Sequence, residues 1–266
     1  KMGHYKHIVN RSGGRRLCLY SKEPRIYKHF DGLPLVDSVS PHLRRHPLTG
    51  DWVGIAAARQ QRTFLPNQAE CPFCVMREGG PLTDIPVDAY EVAIFTNRFA
   101  ALSAMPDLPP ELGVATAPGL GICEVISYSD THNASFATIG IDRIGLLIEA
   151  IGAEAANLLE VDGVQYVLPF ENQGRETGVT IDHPHGQIYA LSHIPVRMER
   201  QAEAFRVGNP LMDAIAGMAE ELVISRNDHG VAFVPEWAKY PFEICVVPRR
   251  RVARPAEMND DEIVGY

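Results

Sequence analysis

The residues with the most chemistry per position lie at Asp182-His183-Pro184-His185-Gly186-Gln187. Two imidazoles flank a proline, and a glycine and a primary amide follow. Pro184 fixes its own φ and biases His183 towards an extended backbone, so the two rings are held in a defined relation. A neutral imidazole whose Nδ1–H is tied by a hydrogen bond carries its lone pair on Nε2, and can attack phosphorus to form a phosphoramidate. A backbone carbonyl in the His-Pro-His turn can supply that tie, and His185 is the candidate nucleophile. Charge gathers on the phosphoryl oxygens during such a transfer, so hydrogen-bond donors must surround them. The preceding loop, Asn172 to Thr180, contains Gly174 and Gly178, which let backbone N–H groups approach an anion closely. Gln187, the N–H groups near Gly178 and Thr180, and arginines are the candidate donors. Gln187 donates without adding a proton that competes with the nucleophile. Alone, His-x-His would suit two satisfied core histidines or a metal site; the glycine loop and the amide around it favour phosphate chemistry.

A second constellation is Cys71-Pro72-Phe73-Cys74, which has the spacing of a chelating zinc knuckle. Two more ligands must come from a distance, and His132, at the end of a strand, and His183 are the candidates. A Cys2His2 set would close a tetrahedral, structural site with net charge near zero. The alternatives are a free surface pair or a redox Cys-x-x-Cys. Redox motifs usually open a helix, and no helical pattern follows Cys74. Arg59 and Arg62, three apart, read most simply as a solvated edge, with a phosphate clamp as the alternative.

The elements that must position these groups are legible in outline. Residues 1–40 read as basic and irregular, with a short strand from Arg15 to Tyr20. Pro47 and Gly50 mark a turn into a strand from Trp52 to Ala57. Glu91 to Thr96 and Ile122 to Tyr128 read as strands, and the proline-rich stretch Met105 to Pro118 as a loop. Ile144, Leu147, Ile148, Ile151, Ala155 and Leu158 recur at helical spacing and predict one buried face, with Thr138 or Asp142 as the cap. Val164 to Pro169 and residues 187–194 are strands. A polar segment, Arg197 to Arg206, precedes a helix expected from Pro210 to about Ser225. Gly230 to Pro235 and Phe242 to Val247 read as paired strands, and Asn259 as the cap of a further helix. Antiparallel strands with a crossover helix predict an α+β fold. The order strand–helix–strand–strand occurs twice in outline, which suggests a duplicated unit whose second copy is incomplete.

The chain has 266 residues, 45% of them hydrophobic and 22% charged, the composition of a soluble globular protein with a large core. A net charge of −8 argues against a general nucleic-acid binder, though one local basic patch can still hold a phosphate. No apolar run approaches the roughly 20 residues of a membrane span. The five cysteines, Cys18, Cys71, Cys74, Cys123 and Cys245, are too scattered for a disulfide framework and point to a reducing cytoplasm.

Several stretches resemble the galactose-1-phosphate uridylyltransferases of the histidine-triad superfamily. They are His46-Pro47-Leu48-Thr49-Gly50-Asp51-Trp52, Cys71-x-x-Cys74, Phe95 to Ala101, Ser129-Asp130-Thr131-His132, Phe170-Glu171-Asn172 with Gly174 and Gly178, His183 to Ile188, and Val234 to Glu243. The resemblance runs from about His42 to the end. It implies a histidine-triad-like antiparallel sheet in a catalytic half, residues 42–200, after an irregular segment 1–41, with the start of a second half at 201–266. It implies exchange of UMP between UDP-glucose and galactose 1-phosphate through a uridylyl-histidine at His185, with Gln187 where hydrolytic relatives carry a third histidine. Cys71, Cys74, His132 and His183 match the family's zinc ligands; iron at that site or a second one is the other option. Asn97 falls in the uridine-binding stretch. Asn172, Gly178, Thr180 and Gln187 match phosphate contacts, and Arg59 and Arg62 an Arg-x-x-Arg that helps hold substrate near a dimer interface. A cytoplasmic homodimer follows from the same resemblance. Three positions depart from the pattern: Arg98 stands for a usual Asp, Thr180 for Ser, and Gln201 for a second-metal Glu, with Glu199 and Glu203 nearby. Family members run on past residue 266 and bring further histidines to that second metal, whereas after His193 this chain has only His229. A related phosphorylase acting on an adenine nucleotide would share the histidine and differ in the base pocket. A non-catalytic, zinc-stabilised binding module is the third reading.

Overall fold

The structure, a computed structural model, describes residues 3–34, 40–57, 59 and 65–265, apart from the side chain of Arg175. It divides into two compact units, one of residues 3–195 and one from Val196 onward.

In the first unit, β1 (Tyr5–Asn10) and β2 (Arg16–Ser21) are followed by a hairpin of β3 (His42–Arg45) and β4 (Trp52–Ile55). Then come β5 (Val92–Thr96), β6 (Thr116–Pro118), β7 (Gly121–Ser127), the short α1 (Phe136–Ile139), α2 (Ile141–Leu159), β8 (Tyr166–Phe170) and β9 (His185–Leu191). Six strands form one sheet in the order β1-β2-β5-β7-β9-β8, with antiparallel pairing throughout. β4, β3 and β6 form a smaller one. Since β9 pairs antiparallel with both β7 and β8, those two run parallel, and α2 is the crossover that carries the chain between them.

Both faces of the large sheet are covered. Leu17, Leu19, Ala93, Phe95 and Val125 pack on one side with Phe73, Ile85, Tyr90 and Ile181. Cys18, Tyr20, Ile94, Ile126, Ile188 and Ala190 pack on the other beneath Leu146, Leu147, Ala150 and Leu158 of α2. This explains why β2 and β5 read as continuous apolar runs rather than alternating ones.

Several expectations need correction. The irregular amino-terminal segment contains an edge strand, β1, paired with β2 from Tyr5 opposite Ser21 to Asn10 opposite Arg16. Its largely exposed, charged sequence gives no alternation to read. The buried face of α2 keeps Leu147 and Leu158 of the predicted set but is turned from the rest: Ile144, Ile148, Ile151 and Ala155 are only half-buried, while Leu146, Ala150 and Glu154 are buried. A fully buried glutamate on that face is the reason. Glu154 lies against Lys6 Nζ (3.0 Å), the Tyr20 hydroxyl (3.1 Å) and Arg16. Neither Thr138 nor Asp142 caps α2. Thr138 instead completes a capping box with Ser135 at the start of α1, and Gly140 (φ +82°) is the residue at the N-cap of α2.

In the second unit, the polar segment is a helix, α3 (Val196–Arg206), with no buried residue. Good helix formers without an apolar face make a helix that periodicity misses. The expected long helix stops early: α4 (Pro210–Gly217), capped by Asn209, gives way to a turn and to β10 (Val223–Arg226). β11 (Gly230–Phe233) pairs antiparallel with β10 and with β12 (Cys245–Pro248). Asn259 caps α5 (Asp260–Gly265), its Oδ1 accepting from the Glu262 N–H at 2.9 Å. No helix among the described residues is long and apolar enough to cross a membrane.

Candidate active site and metal centre

The loop before β9 carries His183, which is 1% exposed and fully enclosed by protein. Its Nε2 lies 2.7 Å from the Ser129 carbonyl oxygen and 3.1 Å from the Tyr90 hydroxyl. Donation from Nε2–H to that carbonyl leaves the Nδ1 lone pair facing Cys74 Sγ at 3.6 Å and Cys71 Sγ at 3.8 Å. His132 Nδ1 lies 3.4 Å from Cys74 Sγ. All four ligand atoms fall within 4.8 Å of one another. A tetrahedral ion with Zn–S near 2.3 Å and Zn–N near 2.05 Å has N···S edges of about 3.5 Å. The N···S separations here bracket that value, so the donor set fits a zinc-sized ion. The protein also supplies the outer contacts such a ligand needs, the Ser129 carbonyl on the ring N–H. Burial pushes the Cys74 thiol up to about 12, with Cys71 adding to it, and pushes His183 down to about 4. A bound cation would reverse that balance at the sulfurs and hold them as thiolates.

Two residues on, His185 opens β9. Its Nδ1 lies 2.7 Å from the His183 carbonyl oxygen, so Nδ1–H donates and the neutral ring keeps its lone pair on Nε2. Burial lowers its pKa, opposed by that backbone bond, and favours the neutral form. The Phe73 ring meets it edge-on at 5.0 Å between centroids. Strand alternation puts Gln187 on the same side, with its Oε1 accepting from the Tyr189 hydroxyl at 3.2 Å.

His185 and Gln187 line one cavity together with Arg59, Asn97, Asn172, Gly178 and Thr180. Arg62 lies outside the described residues. Gly178 has φ +76°, a left-handed backbone that suits glycine at the bend of the loop. Asn97 is held by accepting from the Phe99 N–H at 2.9 Å through Oδ1.

A family model described as galactose-1-phosphate uridyl transferase, N-terminal domain, matches residues 33–195. This chain belongs to that family. A second model, described as a domain of unknown function (DUF4921), matches residues 129–266. A galactose-1-phosphate uridylyltransferase of Thermotoga maritima is 33% identical over 83% of this chain and 70% of its own length. An ADP-glucose phosphorylase of Arabidopsis thaliana is 28% identical over 80% of this chain and 67% of its own. A solved uridylyltransferase superposes with a TM-score of 0.71 at 27% identity, covering 84% of this chain and 71% of that one. The chain thus spans about seven tenths of the length of these uridyl transferase relatives.

The cavity also holds residues to which the sequence reading gives no chemical role. Phe73, Phe95, Phe99, Val125 and Ile181 form an apolar wall. Arg98, where the family pattern leads one to expect an aspartate, lines the cavity with the buried Asp84 beside it at 3.8 Å. Asp84 is held by Arg15 at 2.6 Å. Burial raises the Asp84 pKa, and Arg98 and Arg15 oppose it. Tyr90 contacts the cluster from the core without lining the cavity. Glu199, Gln201 and Glu203 are exposed on α3, and among the described residues only the Cys71–Cys74–His132–His183 group gathers as a metal cluster.

Proposed function

We propose that this chain exchanges UMP between UDP-glucose and galactose 1-phosphate by way of a uridylyl group on His185. The observation that carries this is the Nδ1 tie of His185 to the His183 carbonyl, in a cavity lined with phosphoryl donors. In the first half-reaction, Nε2 attacks the α-phosphorus of UDP-glucose. The P–O bond to glucose 1-phosphate breaks and the electron pair leaves with that oxygen. In the second, a phosphate oxygen of galactose 1-phosphate attacks the same phosphorus and the N–P bond breaks, giving UDP-galactose. Both leaving groups are good, so no strong general acid is needed. Gln187, Asn172, Thr180 and the amides near Gly178 would share the phosphoryl charge. Asn97 and the apolar wall would receive the uridine. Arg59, with Arg62, would hold the outer phosphate.

Zinc is the ion we assign to Cys71, Cys74, His132 and His183, in a structural role that fixes the loop carrying His185. We take residues 42–200 as the histidine-triad-like unit and 201–266 as belonging to a second copy. The β10–β12 sheet followed by the capped α5 supports this. Cysteines without disulfides accord with a reducing cytoplasm, and the family resemblance supports a homodimer.

A second reading, phosphorolysis of an adenine nucleotide sugar, is favoured by the departure at Arg98. Incubation with UDP-glucose or ADP-glucose labelled at the α-phosphate separates the readings. Acid-labile, base-stable label from UDP-glucose on His185 supports the first reading, label only from ADP-glucose the second, and no label from either a binding module. His185→Gly should lose all transfer, keep its fold and metal, and regain turnover with added imidazole. Near-wild-type turnover without imidazole would rule His185 out as nucleophile.

A further inference from the structure

Gln187 can help the transfer only if its amide presents the N–H end to the phosphoryl oxygens. A primary amide turned over presents its carbonyl oxygen instead, which repels them. Something must choose between the two, and the hydrogen bonds beside β9 do so by direction. Arg59 donates from Nη1 to the Phe99 carbonyl at 3.2 Å and to the Tyr189 hydroxyl oxygen at 3.1 Å. A guanidinium has donors and no acceptor, so the phenol oxygen is the acceptor in that contact. The phenol has one hydrogen, and the hydroxyl points at Gln187 Oε1, 3.2 Å away. The Cys123 thiol also meets this hydroxyl; burial pushes it up to about 11, so at neutral pH it is a thiol with a hydrogen of its own. Its sulfur is a weaker acceptor than an amide oxygen. Phe170 stands edge-on to the Tyr189 ring at 5.0 Å and limits its tilt.

We infer that Tyr189 is a positioning residue: it claims the Gln187 oxygen and so turns the amide N–H group towards the transferred phosphoryl. The assignment rests on the proposed function. Tyr189 does not line the cavity; its hydroxyl gives its proton to Gln187, and Arg59, from which it accepts, still has the Phe99 carbonyl when the phenol is lost. Phenylalanine at 189 would keep the ring and its packing, remove the hydrogen, and leave the amide free to turn.

The test is a double-mutant cycle on the whole chain with Tyr189→Phe, Gln187→Ala and the pair. Single-turnover transfer from labelled UDP-glucose and steady-state kinetics would be measured for each. Tyr189→Phe is expected to slow transfer about tenfold, the scale of one hydrogen bond, with KM and metal content near wild type. In the Gln187→Ala background it should have almost no further effect. Wild-type rates in Tyr189→Phe, or losses that multiply in the pair, would overturn the assignment alone. A wild-type chain that transfers no uridylyl group would overturn the proposed function and this assignment with it.

Discussion

Tyr90→Phe tests whether the cluster of cysteines and histidines is one device with the core beneath it. Tyr90 is 1% exposed, and its hydroxyl lies within hydrogen-bond range of four groups. They are the Phe73 carbonyl (2.9 Å), the Ser127 hydroxyl (2.8 Å), the Ser129 carbonyl (2.7 Å) and His183 Nε2 (3.1 Å). One oxygen therefore links the Cys71–Cys74 turn, the end of β7 and a histidine of the cluster. Phenylalanine fits the same space. The Ser129 carbonyl keeps the His183 donor, but the Phe73 carbonyl loses the phenol in a dry site. Leaving a buried carbonyl unsatisfied costs about 1–3 kcal/mol, so the variant should lose about that much without metal. Loosening a group that orients a ligand typically weakens metal binding about 10–100-fold. By mass action, in excess zinc that removes a further ~1.4–2.7 kcal/mol. Urea unfolding with chelator and with saturating zinc, together with chelator competition, reads both terms. An equal loss in both conditions with an unchanged competition curve would show Tyr90 to be ordinary core. Absence of bound zinc or iron in the purified wild type would refute the cluster as a metal site.

Two other substitutions probe the sheet behind the site. Gly186→Ala would place a Cβ 2.9 Å from the Phe170 carbonyl and against the Tyr128 hydroxyl; it should cost about 1–3 kcal/mol and, by shifting His185 and Gln187, cut transfer on the order of 10²-fold, a loss that single-turnover rates would show. Glu154→Gln should cost about 3 kcal/mol, the low end for a broken buried pair because Arg16 and Lys6 keep some solvent access. Burial acts to raise the Glu154 pKa, but Arg16 and Lys6 hold it below the usual carboxylate range. Its contribution is therefore full above the unfolded value of about 4.3 and fades as pH falls through the folded one. The wild-type advantage in unfolding free energy should narrow from about pH 5 downward; a gap that widens on acidification would refute the sign.

What the sequence made legible follows from which residues have few alternatives. Cys71 and Cys74 fix a spacing, Pro184 fixes a backbone, and Gly178 sits at φ +76°. Such positions read through to the site because local geometry alone demands them. The predicted site residues within the described chain do gather, four in the cluster and the rest around the cavity. Asp84 and Tyr90 carry no such signal because their roles depend on partners far along the chain: Arg15 for Asp84, and Phe73, Ser129 and His183 for Tyr90. The same holds for the fold. Period shows α2 together with Leu147 and Leu158 of its buried face but not the place of Glu154 on it, because a charge paired with Lys6 and Arg16 counts as polar in the sequence and as core in the structure. β1 and α3 carried no apolar pattern, since an edge strand and a helix without buried residues have none to show.

The alternation of β9 ties these observations together. His185, Gln187 and Tyr189 lie on one face, opposite Ser127, Val125 and Cys123 of β7. Gly186, Ile188 and Ala190 are buried on the other, beneath α2. The proposed nucleophile, the proposed hydrogen-bond donor to the phosphoryl oxygens and the residue inferred to orient it are thus successive teeth of one strand, about 6.5–7 Å apart in pairs. A slip of one residue would send all three into the helix-covered core. Packing alone resists that slip through Ile188 and Ala190, but it does not fix the start of the strand, where Pro184 has no N–H to give and its carbonyl takes the Tyr128 N–H at 3.3 Å. His183 does. It lies two residues before His185 and is held by Cys71, Cys74, Ser129 and Tyr90. On the proposed function, the cluster would therefore act on the chemistry through register. Its loss should lower transfer by displacing His185, Gln187 and Tyr189 together, not by changing the reactivity of any one of them.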